Sequence, residues 1–541
     1  MRKISLLLAV TMMTGAAAAC SSKDSAETKP WDQAAPKNFN ATGFPIVDEK
    51  VTLKLMGSKG ANQGPWDQMM FFEEMGRMTN VYFEFDTPDA KIYPEKKNLA
   101  FASDNLPDVF FAGQLTSFDQ INYGKQGLLI PLEGLIDQHA PNLKAMLDKN
   151  PSIRRAITAP DGHIYALPQV TDINRDLMFF RTYLNANWME ALGNPKVPET
   201  TDELLVLLKR FRDEDPNKNG KKDELPLSFL NAKNDSLNMA RTYIMPAFGA
   251  LEDRNNQSRL QVTGDKVSAA FMTEGYKEFL KYMKTLHQEK LLDPEIFTHT
   301  DQQLKAKGQD NKIGMTFHAA PFSVFKVEKP EDNAKYPLVL PLTSPINKEK
   351  VLTPRPNIHL GTFAITKNNK HPEAMIRWID YLYTPEGFML GNQGVEGKSW
   401  KWLDEGKTQW DRITPEGMNK EDFRARNTPD AGAMIPILKR MELNYKQVDL
   451  VNNILNKQAE QLTQYAKDAM PLLFLTEEEE NRANILKNDL MNYIAQMEAK
   501  LILDKESFDN WDAYIATLKK MNVDEYVGIY QKAYDRWKAT K

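Results

Sequence analysis

The sequence predicts an α/β fold with a helix-rich C-terminal part, on three observations. Strand and helix patterns alternate from Val51 to Phe111, the opening of a βαβ arrangement. Short apolar strand patterns recur far along the chain, at Ile313 to Phe317 and Gly361 to Ile365. From Thr476 onward the apolar residues fall on helical stripes.

Taken in order, Val51-Thr52-Leu53-Lys54-Leu55-Met56 alternates apolar and polar residues as a half-buried strand does. Gly57 to Gly60 reads as a loop, and Trp66 to Arg77 as a helix with Met69, Met70, Phe72 and Met75 on its apolar face. Val81 to Phe85 is a second strand, Pro94 to Ser103 a helix, and Leu106 to Phe111 a third strand covered on both faces. A second unit is expected from near Tyr165, with a strand at Leu177 to Phe180 and a helix at Arg181 to Leu192. Thr200 with Glu203 reads as a capping box opening a helix that carries Leu204, Leu207, Leu208 and Phe211, and helical stretches continue to about Gln309. Thr476 with Glu479 is a second capping box. Leu486, Leu490, Tyr493, Met497 and Leu501 form one stripe after it, and Tyr526, Tyr530, Ala533 and Trp537 another. Trp511, Tyr530, Tyr534 and Trp537 are read as core, and the acidic run Glu477 to Glu480 as a solvated helix start favoured by the helix dipole.

The first residues speak to location. Met1-Arg2-Lys3, the apolar run Ile4 to Met13 and the small residues up to Ala19 describe a secretory signal over 1–19. The apolar run is shorter than the ~20 residues needed to span a bilayer. Cys20 is the only cysteine in 541 residues, at the position where a bacterial lipoprotein signal is cut. The segment resembles that lipoprotein box, with Ala17 where Leu is usual, so Cys20 is expected to carry palmitate-type acyl chains and anchor the protein outside the cytoplasmic membrane. Ala17-Ala18-Ala19 also fits ordinary signal cleavage. The polar stretch over 20–48 reads as a flexible tether. Loss of Arg2 and Lys3 with the leader takes the formal net charge from −4 to −6, which does not favour nucleic acid. A single cysteine excludes an intrachain disulfide, leaving stability to packing and to a metal.

Four stretches, taken in order, carry a family resemblance. They are Asn105-Leu106-Pro107-Asp108-Val109-Phe110, Asp161-Gly162-His163-Ile164-Tyr165-Ala166-Leu167-Pro168, Trp378 to Gly387, and Gly394-Val395-Glu396-Gly397-Lys398-Ser399-Trp400. Together they resemble the extracellular solute-binding proteins of bacterial carbohydrate ABC importers, in the large lipoprotein branch akin to alginate-oligosaccharide-binding proteins. The resemblance implies a two-lobed, periplasmic-binding-protein-like fold of type II. Its expected lobes are an N-lobe over 49–167 plus 312–380 and a C-lobe over 168–311 plus 381–541. It implies a monomer that binds an oligosaccharide between its lobes, delivers it to ABC permease subunits in the membrane and catalyses nothing.

One segment has the chemistry of a metal loop. Asp215, Asn217 and Asn219 place oxygens at alternate positions, and Gly220 is sixth, as in the first half of an EF-hand. The carbonyl of Lys221 can add a ligand, and Asp223 and Glu224 can supply carboxylates early, because the twelfth position is Pro226. The expectation is a structural Ca2+ site, against the alternative of an Asx-rich turn.

Sugar sites combine aromatic faces with a few fixed polar groups. The candidates are Trp66 and Asp67 after the first strand's loop, Tyr165 near the lobe crossing, Arg355 and His359 before a late strand, and Lys398, Trp400 and Trp402 in the glycine-rich stretch. A secreted carbohydrate-active enzyme and a surface sensor or adhesin are the rival classes. No H-E-x-x-H, G-x-S-x-G or Walker sequence occurs, and the seven histidines do not pair at metal-ligand spacing.

Overall fold

The computed structural model describes residues 38–230 and 237–539; the leader, Cys20 and the first part of the expected tether lie outside them. The remainder of the expected tether is docked. Ile46 and Val47 are fully buried, and their N–H groups both donate to the Thr79 carbonyl. Arg377 donates to the carbonyls of Asn40 and Gly43. An adjacent Ile-Val pair needs cover, and it finds that cover at the end of the first helix.

Two sheets organise the chain. The larger has six strands, in the spatial order Leu438–Lys439, Leu167–Thr171, Ile358–Ile365, Val109–Phe111, Val51–Met56 and Val81–Asp86. Its opening strand pairs in parallel with Val81–Asp86 and with Val109–Phe111, as the βαβ pattern requires. Ile358–Ile365 then runs antiparallel between Val109–Phe111 and Leu167–Thr171. The second sheet has four strands, Leu338–Val339, Arg181–Leu184, Ile313–His318 and Leu225–Leu227. Around it lies the largest apolar core, to which Leu486, Leu490, Ile494 and Leu501 of the Glu477–Ile502 helix contribute along with Tyr526, Tyr530 and Ala533 of Val523–Ala539. The C-terminal aromatics are core, with Tyr493, Met497 and Trp537 packed half-buried at its edge.

Several boundaries move from the expected ones. Ile313–His318 belongs to the second sheet, where it pairs with Arg181–Leu184 and Leu225–Leu227, so the first lobe does not take up the chain at 312. Leu167–Thr171 and Leu438–Lys439 both sit in the first sheet, so the chain leaves the first lobe after Thr171, comes back to it between Val339 and Ile358, and leaves it again after Lys439. The Pro385–Gln393 helix also packs with the first lobe, beside Tyr383, whose hydroxyl donates to the Pro168 carbonyl. Local apolarity cannot tell one sheet's strand from the other's, because both sheets are covered.

The strand expected at Leu177–Phe180 lies at Arg181–Leu184. Asn185 then caps the Ala186–Ala191 helix by accepting from the N–H groups of Asn187 and Trp188, and this fixes where strand becomes helix. The helix read from Trp66 is a short 3₁₀ turn, Trp66–Gln68, broken by extended Met69 before the α-helix Met70–Thr79. Thr476 and Glu479 form the full reciprocal box. Thr200 caps its helix, but the Glu203 carboxylate accepts from the Glu199 N–H instead of the Thr200 N–H.

Candidate functional site

A cavity of about 1060 Å³ lies between the two lobes. That is at the upper end of the ~300–1,000 Å³ typical of small-molecule sites, so it suits an oligomer better than a single small unit. From the first lobe it is lined by Gln114 to Ser117, just past the carboxyl end of Val109–Phe111, and by the start of Ile358–Ile365. Ligand crevices of α/β sheets form at such strand ends. From the second lobe come the loop over 252–259 and one face of the Glu477–Ile502 helix, including Glu480, Asn484 and Lys487.

Each wall is held by its own hydrogen bonds. Thr116 and Asp119 form a capping box at the start of Ser117–Lys125, and Asp119 also pairs with the buried Lys97 ammonium. In the 252–259 loop, Asp253 accepts from the Ser258 hydroxyl at 2.7 Å and from backbone N–H groups of Asn255, Asn256 and Ser258. Beneath the loop, Glu252 bridges Arg241 and Arg259, and Glu498 bridges the same two arginines from the long helix. On the first-lobe side, Gly361 has φ +67, and a Cβ there would lie 1.9 Å from the Leu115 carbonyl oxygen. Leu115 donates its N–H to Gly361 O at this close approach. The register of the strand pair shifts between His359 and Phe363, and this bulge orients the cavity-lining segment.

The cavity takes in only part of the expected ligand set. Arg355 and His359 line it. Burial, then the charges of Arg355 and Lys439, push the His359 imidazole down to about 4. The Arg355 guanidinium lies 4.9 Å from the centroid of the Phe179 ring. Trp66 is 1 % exposed, packed on Phe72 and Phe111 with its N–H donated to Gln63, so both its faces are already used. Tyr165 is buried in the first-lobe core and donates its hydroxyl to Asp161 at 3.0 Å. Trp400 is buried with its N–H on the Gly394 carbonyl, and it meets Trp402 and Trp410 edge to face in the hairpin of Trp400–Trp402 with Trp410–Arg412. Trp402 is half-buried beneath the Lys446 ammonium, while Asp67 and Lys398 are exposed; none of these residues lines the cavity.

Sequence reasoning missed Gln114, Arg254, Lys487 and Glu480. Gln114 and Arg254 sit in loops that no local period marks. Glu480, read as solvated, faces the cavity, and burial raises its carboxyl above the usual range. Helical phase from the Leu486–Leu490 stripe could have placed Glu480 and Lys487 at its flank.

The Asp215 to Glu224 loop joins the Thr201–Asp213 helix to Leu225–Leu227, and none of its residues lines the cavity. The Asp215 carboxylate accepts from the N–H groups of Asn219 and Gly220, folding the loop around it. The side-chain amides of Asn217 and Asn219 donate to Asp223 Oδ1 at 3.1 and 2.9 Å. Glu224 Oε1 is buried with no hydrogen-bond partner among the described residues, and burial raises this carboxyl, with the charges of Asp215 and Asp223 adding to the effect. Among the described residues no three carboxylate, imidazole or thiol side chains converge as a metal cluster. A cation here would therefore also need the amide and carbonyl oxygens. The orphaned Glu224 oxygen and the acceptor-rich loop fit a hard cation such as Ca2+.

Residues 79–387 match the family described as bacterial extracellular solute-binding protein. The chain is 28% identical over 542 residues to the fructooligosaccharide ABC transporter substrate-binding protein FusA of Streptococcus pneumoniae serotype 4 (strain ATCC BAA-334 / TIGR4), covering 97% of this chain and 96% of that protein. It is 25% identical over 401 residues to the polygalacturonan/rhamnogalacturonan-binding protein YtcQ of Bacillus subtilis (strain 168), covering 73% of each. The structure of a FusA EF-hand mutant from S. pneumoniae with fructo-nystose aligns with a TM-score of 0.73 at 27% identity, over 91% of this chain and 100% of that one.

Proposed function

The chain belongs to the bacterial extracellular solute-binding proteins, and on that premise we propose that it captures an oligosaccharide between its lobes and hands it to the permease of an ABC importer. The observation that carries the reading is the cavity of about 1060 Å³, walled by polar groups at strand ends of the first sheet and on a loop and helix face of the second lobe. The glycan relatives, one of them matched along nearly the whole chain, support it. Binding would draw the lobes together to the extent that contacts are better made in the closed form. The protein acts by binding, as a monomer, and hydrolysis of ATP falls to other chains.

Two finer readings accompany this one. Asp215, Asn217, Asn219, the carbonyl of Lys221, Asp223 and Glu224 would hold a structural Ca2+, which fixes the loop and leaves the glycan untouched. The orphaned Glu224 oxygen and the EF-hand in the name of the FusA structure support this reading. Acyl chains on Cys20 would hold the protein at the outer face of the cell membrane, within reach of its permease.

Calorimetry of the purified protein against neutral and acidic oligosaccharides, with chromatography of the mixtures afterwards, tests the main reading. Saturable binding with the glycan recovered intact is the expected result. Cleavage products would replace importer with enzyme, and silence toward every glycan would remove the sugar.

A further inference from the structure

The arginines around the cavity fall into two groups. Arg241 and Arg259, the latter at the end of the 252–259 loop, are both matched by the carboxylates of Glu252 and Glu498. All four line the cavity, but among the described residues neither Arg254 nor Arg355 has a carboxylate within salt-bridge distance. Arg254 donates to the Thr242 hydroxyl at 3.4 Å, and Arg355 lies over the Phe179 ring. Both belong to the lining of one cavity, and burial, then the like charge of Arg254, push the Arg355 guanidinium down. Arg181, which does not line the cavity, is fully buried. Its Nε and Nη2 have no partner among the described residues, while Nη1 donates to the Ala319 carbonyl at 2.6 Å and, at longer range, to the Phe179 carbonyl and the Tyr183 hydroxyl.

The nearby acids are engaged elsewhere and offset this charge only in part, Asp176 acting against Arg254 at Arg355. Asp430 lies 3.3 Å and Asp176 3.7 Å from the Lys439 ammonium. Asp253 is engaged by its own loop, and Glu480 lies on the long helix with Lys487, four residues from Asn484, which donates to it at 3.3 Å. Desolvating two like charges when water leaves the cavity is costly, and hydroxyl acceptors alone leave their repulsion in place. A planar carboxylate matches the guanidinium fork and removes that repulsion.

We propose that the glycan bound between the lobes is an acidic oligosaccharide, whose sugar carboxylates are held by Arg254 and Arg355. The proposal rests on the reading of the cavity as a glycan site and adds the charge of the guest. The two arginines would be the specificity determinants, with His359 staying neutral beside them as a hydrogen-bonding partner for hydroxyls.

The test is calorimetry of the purified protein with short oligogalacturonates and oligomannuronates, the same oligomers after reduction of their carboxyls to alcohols, and kestose as a neutral probe. At least one acidic series should bind, with affinity falling about tenfold or more on carboxyl reduction and again in Arg254→Gln or Arg355→Gln. Arg355→Lys should recover part of that loss. Without ligand, the Gln variants should melt no lower than the parent, because removing one of two opposed charges relieves repulsion; a lower melting point would mark the arginines as merely structural. Binding of kestose or of a reduced oligomer as tightly as any acidic one, unchanged in the Gln variants, would overturn the acidic guest and leave the glycan role standing. Absence of binding by every probe would overturn both.

Discussion

Glu224 shows how a single atom can point to a missing partner. A buried carboxylate oxygen without a donor costs free energy that a cation would recover. Calcium should therefore raise the melting temperature, and a chelator should lower it. Glu224→Gln should abolish that dependence while leaving glycan affinity unchanged, since the loop stands outside the cavity; differential scanning calorimetry with and without chelator reads it. His359 makes a second prediction, of opposite electrostatic kind. Its folded imidazole titrates near 4 while the unfolded one titrates near 6.5. Between those values the unfolded chain binds the extra proton, so stability falls as pH falls through the window, by about 3 kcal/mol in full. In His359→Gln that component disappears, and the difference between urea midpoints at about pH 7 and about pH 5 should shrink relative to the parent.

At the scale of elements, the walls of the cavity are held by features that can be removed one at a time. Gly361 is the position where the late strand passes the Leu115 backbone, with positive φ and no room for a Cβ. Gly361→Ala should lose more than about 1 kcal/mol in chemical denaturation, and glycan affinity should fall with it because the bulge carries the cavity-lining residues. The long helix Glu477–Ile502 begins at Thr476, whose box partner Glu479 is also gripped by Arg536 of the last helix. Thr476→Ala should cost about 1 kcal/mol, read from urea unfolding. Glu498 lies on the same helix and joins it to the loop under the cavity through Arg241 and Arg259. The position of the 252–259 wall is thus set from a helix more than two hundred residues away in sequence.

At the scale of the molecule, the two lobes touch on the side where the last helix returns. The Arg155 guanidinium, on the first-lobe helix Pro151–Ile157, lies 5.5 Å from the Trp537 ring centroid. Lys125 comes within 3.9 Å of Glu477 at the start of the long helix. The Lys125–Glu477 pair is exposed enough to be weak and remakeable, as lobes that move relative to one another require. A saturating glycan should reduce the radius of gyration in small-angle scattering, and the reduction should disappear when the arginines that hold the glycan are changed to glutamine. An unchanged radius with full binding would mean that the cavity accepts its guest without closure.

What could be read from the chain follows periodicity and capping. The alternation of Val51 to Met56, the Thr476 box, the stripe of Leu486, Leu490 and Leu501 and the alternating oxygens from Asp215 to Asn219 are local signals, and each appears at its place in the structure. Arg355 and His359 stand out in the sequence because Gly361 to Ile365 reads as a strong strand just after them, and the strand itself starts earlier, at Ile358, taking in His359. Trp66 and Trp400 went to the interior because aromatic rings are also the largest apolar side chains, and only their neighbours decide which role they take. Sequence by itself determined the α/β class, the helical end, the caps and the composition of the metal-like loop, since these depend on residues a few positions apart. Tertiary structure alone decided which sheet owns Ile313–His318, that Arg254 and Arg355 come to one cavity with no carboxylate in salt-bridge distance of either among the described residues, and that Glu480 faces inward. Those outcomes depend on pairings across long stretches of chain, where proximity is set by the packing of whole lobes and leaves no period in the sequence.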